Sequence, residues 1–318
     1  MGEAVGPGDK RRDEAARAAW LYFIGGCTQD EIARQMDVSR QAAQRLVSFA
    51  VSEKLIKFRM EHPIASCMDF AKRIADRYRL EFCDVTPSTV NAGGSVAGVA
   101  VATAIRLNRL LTAKTPTIIG VGTGRTLRAA VDEIDYLDRP QHKIVSLVGN
   151  MATDGRASPY EVAMRLADKI GAQRFPMPAP VLAETAEERE ALRNQKYFGM
   201  LRELRGQARA SFVGIAEVGW QSPLHQDGFV TDADVSALLD SGAVGEIIGW
   251  PFDASGRPVD TPIYERGASL ELEVPPQRLT VIVGCGPQKT LPLKAALTGG
   301  LASALITDVT TAGALLEE

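Results

Sequence analysis

From residue 93 to the C terminus one pattern repeats: a short apolar run rich in β-branched residues, a glycine-containing turn, then a helical stretch. Successive strands separated by helices pair in parallel and are covered on both faces, so this repetition predicts a doubly wound α/β domain. The run Thr117-Ile118-Ile119-Gly120-Val121 reads as a buried strand, followed by Gly122-Thr123-Gly124-Arg125-Thr126 and a helix over 127–134. Lys143–Val148 is the next strand, with helices over 159–170 and 184–204, a strand over 211–216 and a helix over 231–240. Residues 245–259 read as a strand, a D-x-x-G turn and a second strand. Strand 279–283, the turn Gly284-Cys285-Gly286, helix 288–298, strand 304–307 and a last helix complete the chain.

The first 62 residues follow another pattern. An Ala-rich helix over 11–23 places Ala15, Ala19, Tyr22 and Phe23 on one face and stops at Gly25-Gly26. Thr28 and Glu31 form a T-x-x-E capping box for a second helix, with Ile32, Ala33 and Met36 as its apolar stripe. The turn Asp37-Val38-Ser39 leads into a third helix, where Ala43, Leu46 and Val47 are apolar and Arg40, Gln41, Gln44 and Arg45 are polar. Two short helices joined by such a turn match a helix-turn-helix over 29–48. Asp37 stands where such turns often carry Gly, and Asp tolerates the left-handed backbone the turn requires. Arg can donate two hydrogen bonds to guanine and Gln can pair with adenine in the major groove. Thr28 and Ser39 sit at helix N termini suited to phosphate. The alternating run 55–60 predicts a wing strand with Lys57 and Arg59 toward the DNA backbone. These eight residues are the candidate DNA contacts.

Charge agrees with that division. The net charge is −3 over 318 residues, but residues 10–60 carry ten bases against six acids, a local +4, while residues 63–318 are net −4. The expected organisation is a flexible tail (1–10), a DNA-binding unit (11–62), a connector (63–92) and an effector domain (93–318). In the connector, helix 68–78 bears Phe70, Ile74 and Tyr78 on one face, leading to a strand over 80–85. That helix could pair two subunits or dock on its own domain; the sequence does not decide. Four scattered cysteines and three histidines lack metal-ligand spacing, so neither a metal nor a cofactor is expected. No apolar run reaches the roughly 20 residues that span a bilayer, and the N terminus lacks a signal-peptide core, so the expected location is cytoplasmic.

A glycine loop running from a strand into a helix exposes backbone N–H groups and the helix dipole to an oxyanion. In VGTGRT, Thr123 and Thr126 add hydroxyls and Arg125 adds charge. The loop lacks the Walker A lysine and the third glycine of a dinucleotide fingerprint, so a small phosphate ester suits it better than a nucleotide. Its alternative is a tight turn needing glycine only for geometry. Lys289, on the helix after the second glycine turn, and Asp253, in its own turn, are expected to converge with the loop at the carboxyl ends of the strands. A common turn residue and a solvated helix lysine are their bland alternatives.

The ordered set IIGVGTGRT, VSLVGN, GAVGEIIGWPFDASGRPV, VIVGCGPQKT and ALITDVTTAGALL, behind the helix-turn-helix, resembles bacterial SorC-type (SorC/DeoR) sugar-responsive transcriptional regulators over about 12–318. The resemblance implies a winged helix-turn-helix joined to a domain similar to ribose-5-phosphate isomerase and glucosamine-6-phosphate deaminase, serving as a sensor. It further implies that Gly122, Thr123, Gly124 and Thr126 hold the phosphate of a sugar or polyol effector, and that Asp253 and Lys289 contact its sugar. It implies a homo-oligomer, commonly a tetramer or dimer, on operator DNA. Two departures stand out: Thr-Gly-Arg-Thr where relatives often have Gly-Gly-Thr or Gly-Gly-Ser, placing Arg125 in the effector site, and Pro287 where a more flexible residue is frequent. The competing reading is a sugar-phosphate isomerase or deaminase with an N-terminal appendage. Such an enzyme needs a positioned acid/base group, and neither His142 nor His225 sits in an evident one. A regulator answering to a protein partner is a third reading, and a Schiff base at Lys289 has no support in the sequence.

Overall fold

Contacts divide the chain into two units, Met1–His62 and Pro63–Glu318. The computed structural model describes residues 7–57, 65–88, 94–149, 151, 156 and 161–317.

The first unit holds three helices: α1 (Pro7–Phe23), α2 (Gln29–Met36) and α3 (Arg40–Ser52). Because α1 starts at Pro7, residues 7–10 are helical rather than part of a tail. Small residues let α1 and α3 approach closely: Ala15, Ala18 and Ala19 are buried against Ala43, Val47 and Ala50. Tyr22 and Phe23 do not join that face and are 39% and 37% exposed. The alanine face is already complete, and the last helical turn overshoots it. The capping box at α2 forms, with Thr28 N donating to Glu31 Oε2 at 2.7 Å and Glu31 N donating to Thr28 Oγ1 at 3.3 Å. The Thr28 N–H, together with the Thr28 hydroxyl that donates to the same Oε2 at 2.8 Å, holds the Glu31 carboxyl below its usual range. Asp37 ends α2 with φ +53°, and Ser39 Oγ accepts from Ala42 N at 3.2 Å to start α3. Residues 55–57 are not strand, and Leu55 and Ile56 tuck against Ala15, Ala19 and Ala50; residues 58–60 of the expected wing lie outside the described residues. Lys57 is exposed; Arg59 lies outside the described residues.

The second unit begins with α4 (Ala65–Tyr78), β1 (Phe82–Thr86), α5 (Gly94–Leu111), β2 (Ile118–Val121), α6 (Arg125–Asp132), β3 (Lys143–Ser146), α7 (Val162–Ile170) and β4 (Gln173–Phe175). It continues with α8 (Ala186–Arg193), α9 (Lys196–Gly206), β5 (Ala210–Gly214), β6 (Ala216–Glu217), α10 (Pro223–Gln226), α11 (Asp232–Asp240), β7 (Ala243–Ile247), β8 (Trp250–Asp253) and α12 (Pro262–Arg266). Last come β9 (Leu279–Val283), α13 (Thr290–Thr298), β10 (Ala304–Asp308) and α14 (Val309–Leu316). Residues 159–160 of the expected helix lie outside the described set, and β4 had no sequence signal because its three residues, Gln-Arg-Phe, lack an apolar run. Helix 288–298 opens as a 3₁₀ turn over Pro287–Lys289. In 245–259 the hairpin turn falls at Ile248-Gly249, and the D-x-x-G turn follows β8.

Seven strands form one parallel sheet in the order β1-β10-β9-β5-β2-β3-β4, and β6-β7-β8 form a small antiparallel sheet. One apolar core lies between the large sheet and α5, α6 and α7; the other gathers α4, α9, α13, α14 and the small sheet. The connector helix α4 docks on its own domain: Ile74 is fully buried and Tyr78 Oη donates to Leu315 O at 3.2 Å. After β2 the chain builds outward through β3 and β4; from β5, on the other side of β2, it builds the opposite way. The β2/β5 boundary is therefore the topological switch point, where loops leaving in opposite directions open a crevice.

Candidate functional site

The loop Gly122–Gly124 leaves β2 at that switch point. Gly122 N donates to Phe212 O at 2.8 Å, continuing the ladder to β5. Gly124 has φ +134°, a conformation open to glycine, and offers no side chain to cap α6. On the facing strand, a Cβ on Gly214 would stand 2.5 Å from Thr123 O, so two backbones meet where any side chain would separate them. Thr123 and Thr126 are half-buried beside this N terminus and Arg125 is exposed. The guanidinium of Arg125 lies 4.0 Å from the Asp227 carboxylate, which follows α10.

The second glycine turn follows β9. Lys289 Nζ forms an ion pair with Glu217 at the end of β6, both side chains largely buried. Glu246 on β7 belongs to the same group. Burial pushes its carboxyl up to about 7; the Gly249 N–H, which donates to it at 2.7 Å, and Lys289 oppose the shift, while Glu217 adds to it. The Lys289 ammonium is paired with Glu217, and Glu246 lies near enough to feel both charges. Within the turn, Gly284 N donates to Ile306 O (3.2 Å), Gly286 N to Thr311 Oγ1 (2.9 Å) and Lys289 N to Gly286 O (3.0 Å). The Cys285 thiol is pushed up to about 11 by burial and by Asp308, so it is a poor nucleophile.

Asp253 does not join this group. Its Oδ1 accepts from Ser255 N (2.8 Å), Ser255 Oγ (2.7 Å) and Arg257 N (2.9 Å), which holds the carboxyl below its usual range and builds the turn. Gly256 in that turn packs against Ala295 and Gly299, at the C-terminal end of α13, whereas Lys289 stands at its N-terminal end. Nine helical residues separate the two ends by roughly 13 Å. The turn that Asp253 builds therefore packs at the end of α13 away from Lys289. Sequence reading missed Glu217, Glu246 and Asp227. A charged residue inside the apolar strand GEIIG was the one available signal, for Glu246.

His142 is buried, with Nδ1 accepting from Thr117 N at 3.2 Å and Nε2 3.0 Å from Leu111 O, and it serves structure. His225 lies between Asp232 Oδ1 (2.8 Å) and Trp220 O (2.9 Å), which raise its pKa. Among the described residues no cluster of His, Cys, Asp and Glu could hold a metal, and no helix is long and apolar enough to cross a membrane.

In the first unit α3 presents Arg40, Gln41, Gln44 and Arg45 together on its exposed face, with Ala43 and Val47 buried opposite. Arg40 Nε lies 3.5 Å from Asp30 Oδ1 in a solvated pair. Thr28 and Ser39 are exposed at their helix starts.

Residues 62–317 match the family model described as "Putative sugar-binding domain". The erythritol catabolism regulatory protein EryD of Brucella abortus (strain 2308) is 32% identical over 302 residues, covering 95% of this chain and 96% of that protein. The deoxyribonucleoside regulator of Bacillus subtilis (strain 168) is 24% identical, over 97% and 99% of the two chains. Among solved structures, the full-length sorbitol operon regulator SorC from Klebsiella pneumoniae superposes with a TM-score of 0.71 at 20% identity, covering 97% of this chain and 100% of that one.

Proposed function

The chain belongs to the sugar-binding family of SorC/DeoR-type transcriptional regulators, and from that premise we propose that it binds operator DNA through α3 and releases or engages it in response to a phosphorylated sugar or polyol. The observation that carries this reading is the start of α6, which has no side-chain cap, at the β2/β5 switch point. Backbone N–H groups and the α6 dipole receive the phosphate, Thr123 and Thr126 add hydroxyl donors, and Lys289 with Glu217 and Glu246 meets the hydroxyls of the carbon chain. The erythritol-catabolism relative supports control of a catabolic operon for a short polyol.

On the DNA side, Arg40, Gln41, Gln44 and Arg45 read base edges, while Thr28, Ser39, Lys57 and Arg59 meet phosphates. The protein works as a homo-oligomer, since paired half-sites require paired recognition helices. Effector binding shifts the population of subunit arrangements and so the spacing of those helices, and coupling extends only as far as the effector's differential affinity for the two states. The enzyme alternative is less well supported: His142 and His225 are committed to Leu111, Thr117, Trp220 and Asp232, and the relatives are named regulators.

Fluorescence anisotropy on the promoter of the adjoining genes, with and without a panel of phosphorylated sugars and polyols, tests the proposal. At least one compound shifts DNA affinity tenfold or more. DNA affinity indifferent to the whole panel, or turnover of a sugar phosphate, overturns it.

A further inference from the structure

We propose that the cavity beside β8 is a second ligand site, and that it takes a small monocarboxylate bearing one aromatic ring or a branched carbon chain. The proposal does not rest on the sugar-sensing reading, because the cavity stands apart from the crevice at the switch point.

The cavity has a volume of about 110 Å³, of the order of the roughly 150 Å³ that admits benzene to an engineered apolar core. Trp250 and Phe252, both on β8, form its wall together with Tyr264, Leu272 and Leu301. Trp250 and Tyr264 meet edge to face with ring centres 4.9 Å apart, and the indole N–H is spent on Leu270 O at 2.8 Å. The wall therefore offers rings and aliphatic carbon to the body of a ligand. Gly256, in the turn that Asp253 builds, also lines it. That turn packs at the end of α13 away from Lys289, and neither Lys289 nor the loop after β2 lines the cavity.

One end of the cavity is cationic. Arg189, half-buried on α8, lines it and donates from Nε to Gly267 O at 3.4 Å. Among the described residues neither terminal nitrogen of Arg189 has a hydrogen bond, and nor has the Tyr264 hydroxyl. Glu271, the carboxylate on the lining, is already taken by two arginines: Arg202 Nη2 donates to its Oε1 at 2.6 Å, and Arg193 pairs with it. Burial first, then the nearby Arg189 and Arg202, push the Arg193 guanidinium down to about 10, with Glu190 and Tyr264 opposing the shift. Arg193 Nη1 is buried with no hydrogen bond. Three guanidiniums thus stand against the carboxylates of Glu271 and Glu190, leaving one positive charge in excess beside an apolar wall. A ligand carboxylate supplies the opposite charge, accepting two parallel bonds from the Arg189 fork and a third from the Tyr264 hydroxyl. A sugar phosphate suits neither end, since its hydroxyls find no partners on the apolar wall.

Isothermal titration calorimetry on the full chain tests this with benzoate, phenylacetate and isovalerate, beside the amide of each. At least one acid binds at millimolar concentration or below, and at least tenfold more tightly than its amide. Arg189→Gln removes that preference, and Leu272→Trp, which fills the cavity, abolishes binding of acid and amide alike. Equal binding of acid and amide, an acid whose affinity survives Arg189→Gln, or no acid bound at millimolar concentration overturns the proposal. So does a second copy seated on the same face: light scattering that finds Leu272→Trp dissociating an assembly of the wild-type chain gives the cavity to a subunit interface. The wild-type panel with Arg189→Gln is decisive should Leu272→Trp fail to fold.

Discussion

Lys289 and Glu217, 72 positions apart in the chain, form an ion pair that joins the turn after β9 to the small antiparallel sheet. Glu246, on the neighbouring strand, is near enough to feel both charges. This group is thus assembled from three segments, and neither of its two acidic residues lies in a recognisable motif.

Glu246 makes stability fall as pH rises. Its carboxyl ionises near 4.5 in the unfolded chain and near 7 in the folded one, so between those values the native state holds the extra proton. The resulting cost grows through that window to at most about 3 kcal/mol. Glu246→Gln removes it: urea unfolding finds the variant more stable than wild type above pH 7, with the difference vanishing near pH 4.5. A constant difference across pH refutes the assignment.

His225 reports on the segment between β6 and α11. Asp232 first, then the Trp220 carbonyl, raise its pKa, so its bonds to both are strongest below 6.5 and weaken as pH climbs through the raised value. The Trp220 ring lies 5.6 Å from the imidazole, close enough for protonation to alter its fluorescence. The emission change on titration, absent in His225→Gln, has its midpoint above 6.5 in wild type and closer to 6.5 in Asp232→Asn.

At the crevice, Gly214→Ala drives a methyl group into Thr123 O and displaces the loop after β2. Effector affinity measured by calorimetry drops at least tenfold, while far-UV circular dichroism stays that of wild type. Undiminished affinity would remove this loop from the binding site.

Asp37 holds φ +53° between α2 and α3, a backbone region that costs most L-residues roughly 1 kcal/mol and glycine nothing. Asp37→Gly therefore changes the stability of the first unit by no more than about 1 kcal/mol in either direction, since glycine's gain in comfort is offset by unfolded-state entropy. Asp37→Val costs more than either, and thermal unfolding ranks the three.

Arg40→Ala and Gln44→Ala together abolish the preference for the operator over scrambled DNA, each lost base contact being worth about 1–3 kcal/mol. They leave the three-helix fold intact, since both side chains are exposed. Retained preference in an anisotropy competition assigns recognition to another surface.

Local signals were legible wherever a residue's role depends on its immediate neighbours. Thr28 and Glu31 announce a helix start because the capping box closes within four residues, and Asp37 and Ser39 bound the next turn for the same reason. GVGTGRT announces a strand, a turn and a helix by glycine and β-branching alone. Tyr22 and Phe23 were misread because apolar periodicity cannot tell that an all-alanine face leaves no room for rings. Asp253 builds its own turn, and such a carboxylate looks, in sequence, like one aimed at a ligand.

In the sequence alone most element types, the division near residue 60 and the glycine loop could be read, all consequences of short-range sterics and hydrophobic period; β4, with no apolar run, could not. The tertiary structure decided what faces that loop: Gly214 across the switch point, Asp227 beside Arg125, and Glu217 and Glu246 around Lys289. Those relations depend on strand order and on charges brought together from distant segments, and a linear pattern of residue types carries neither.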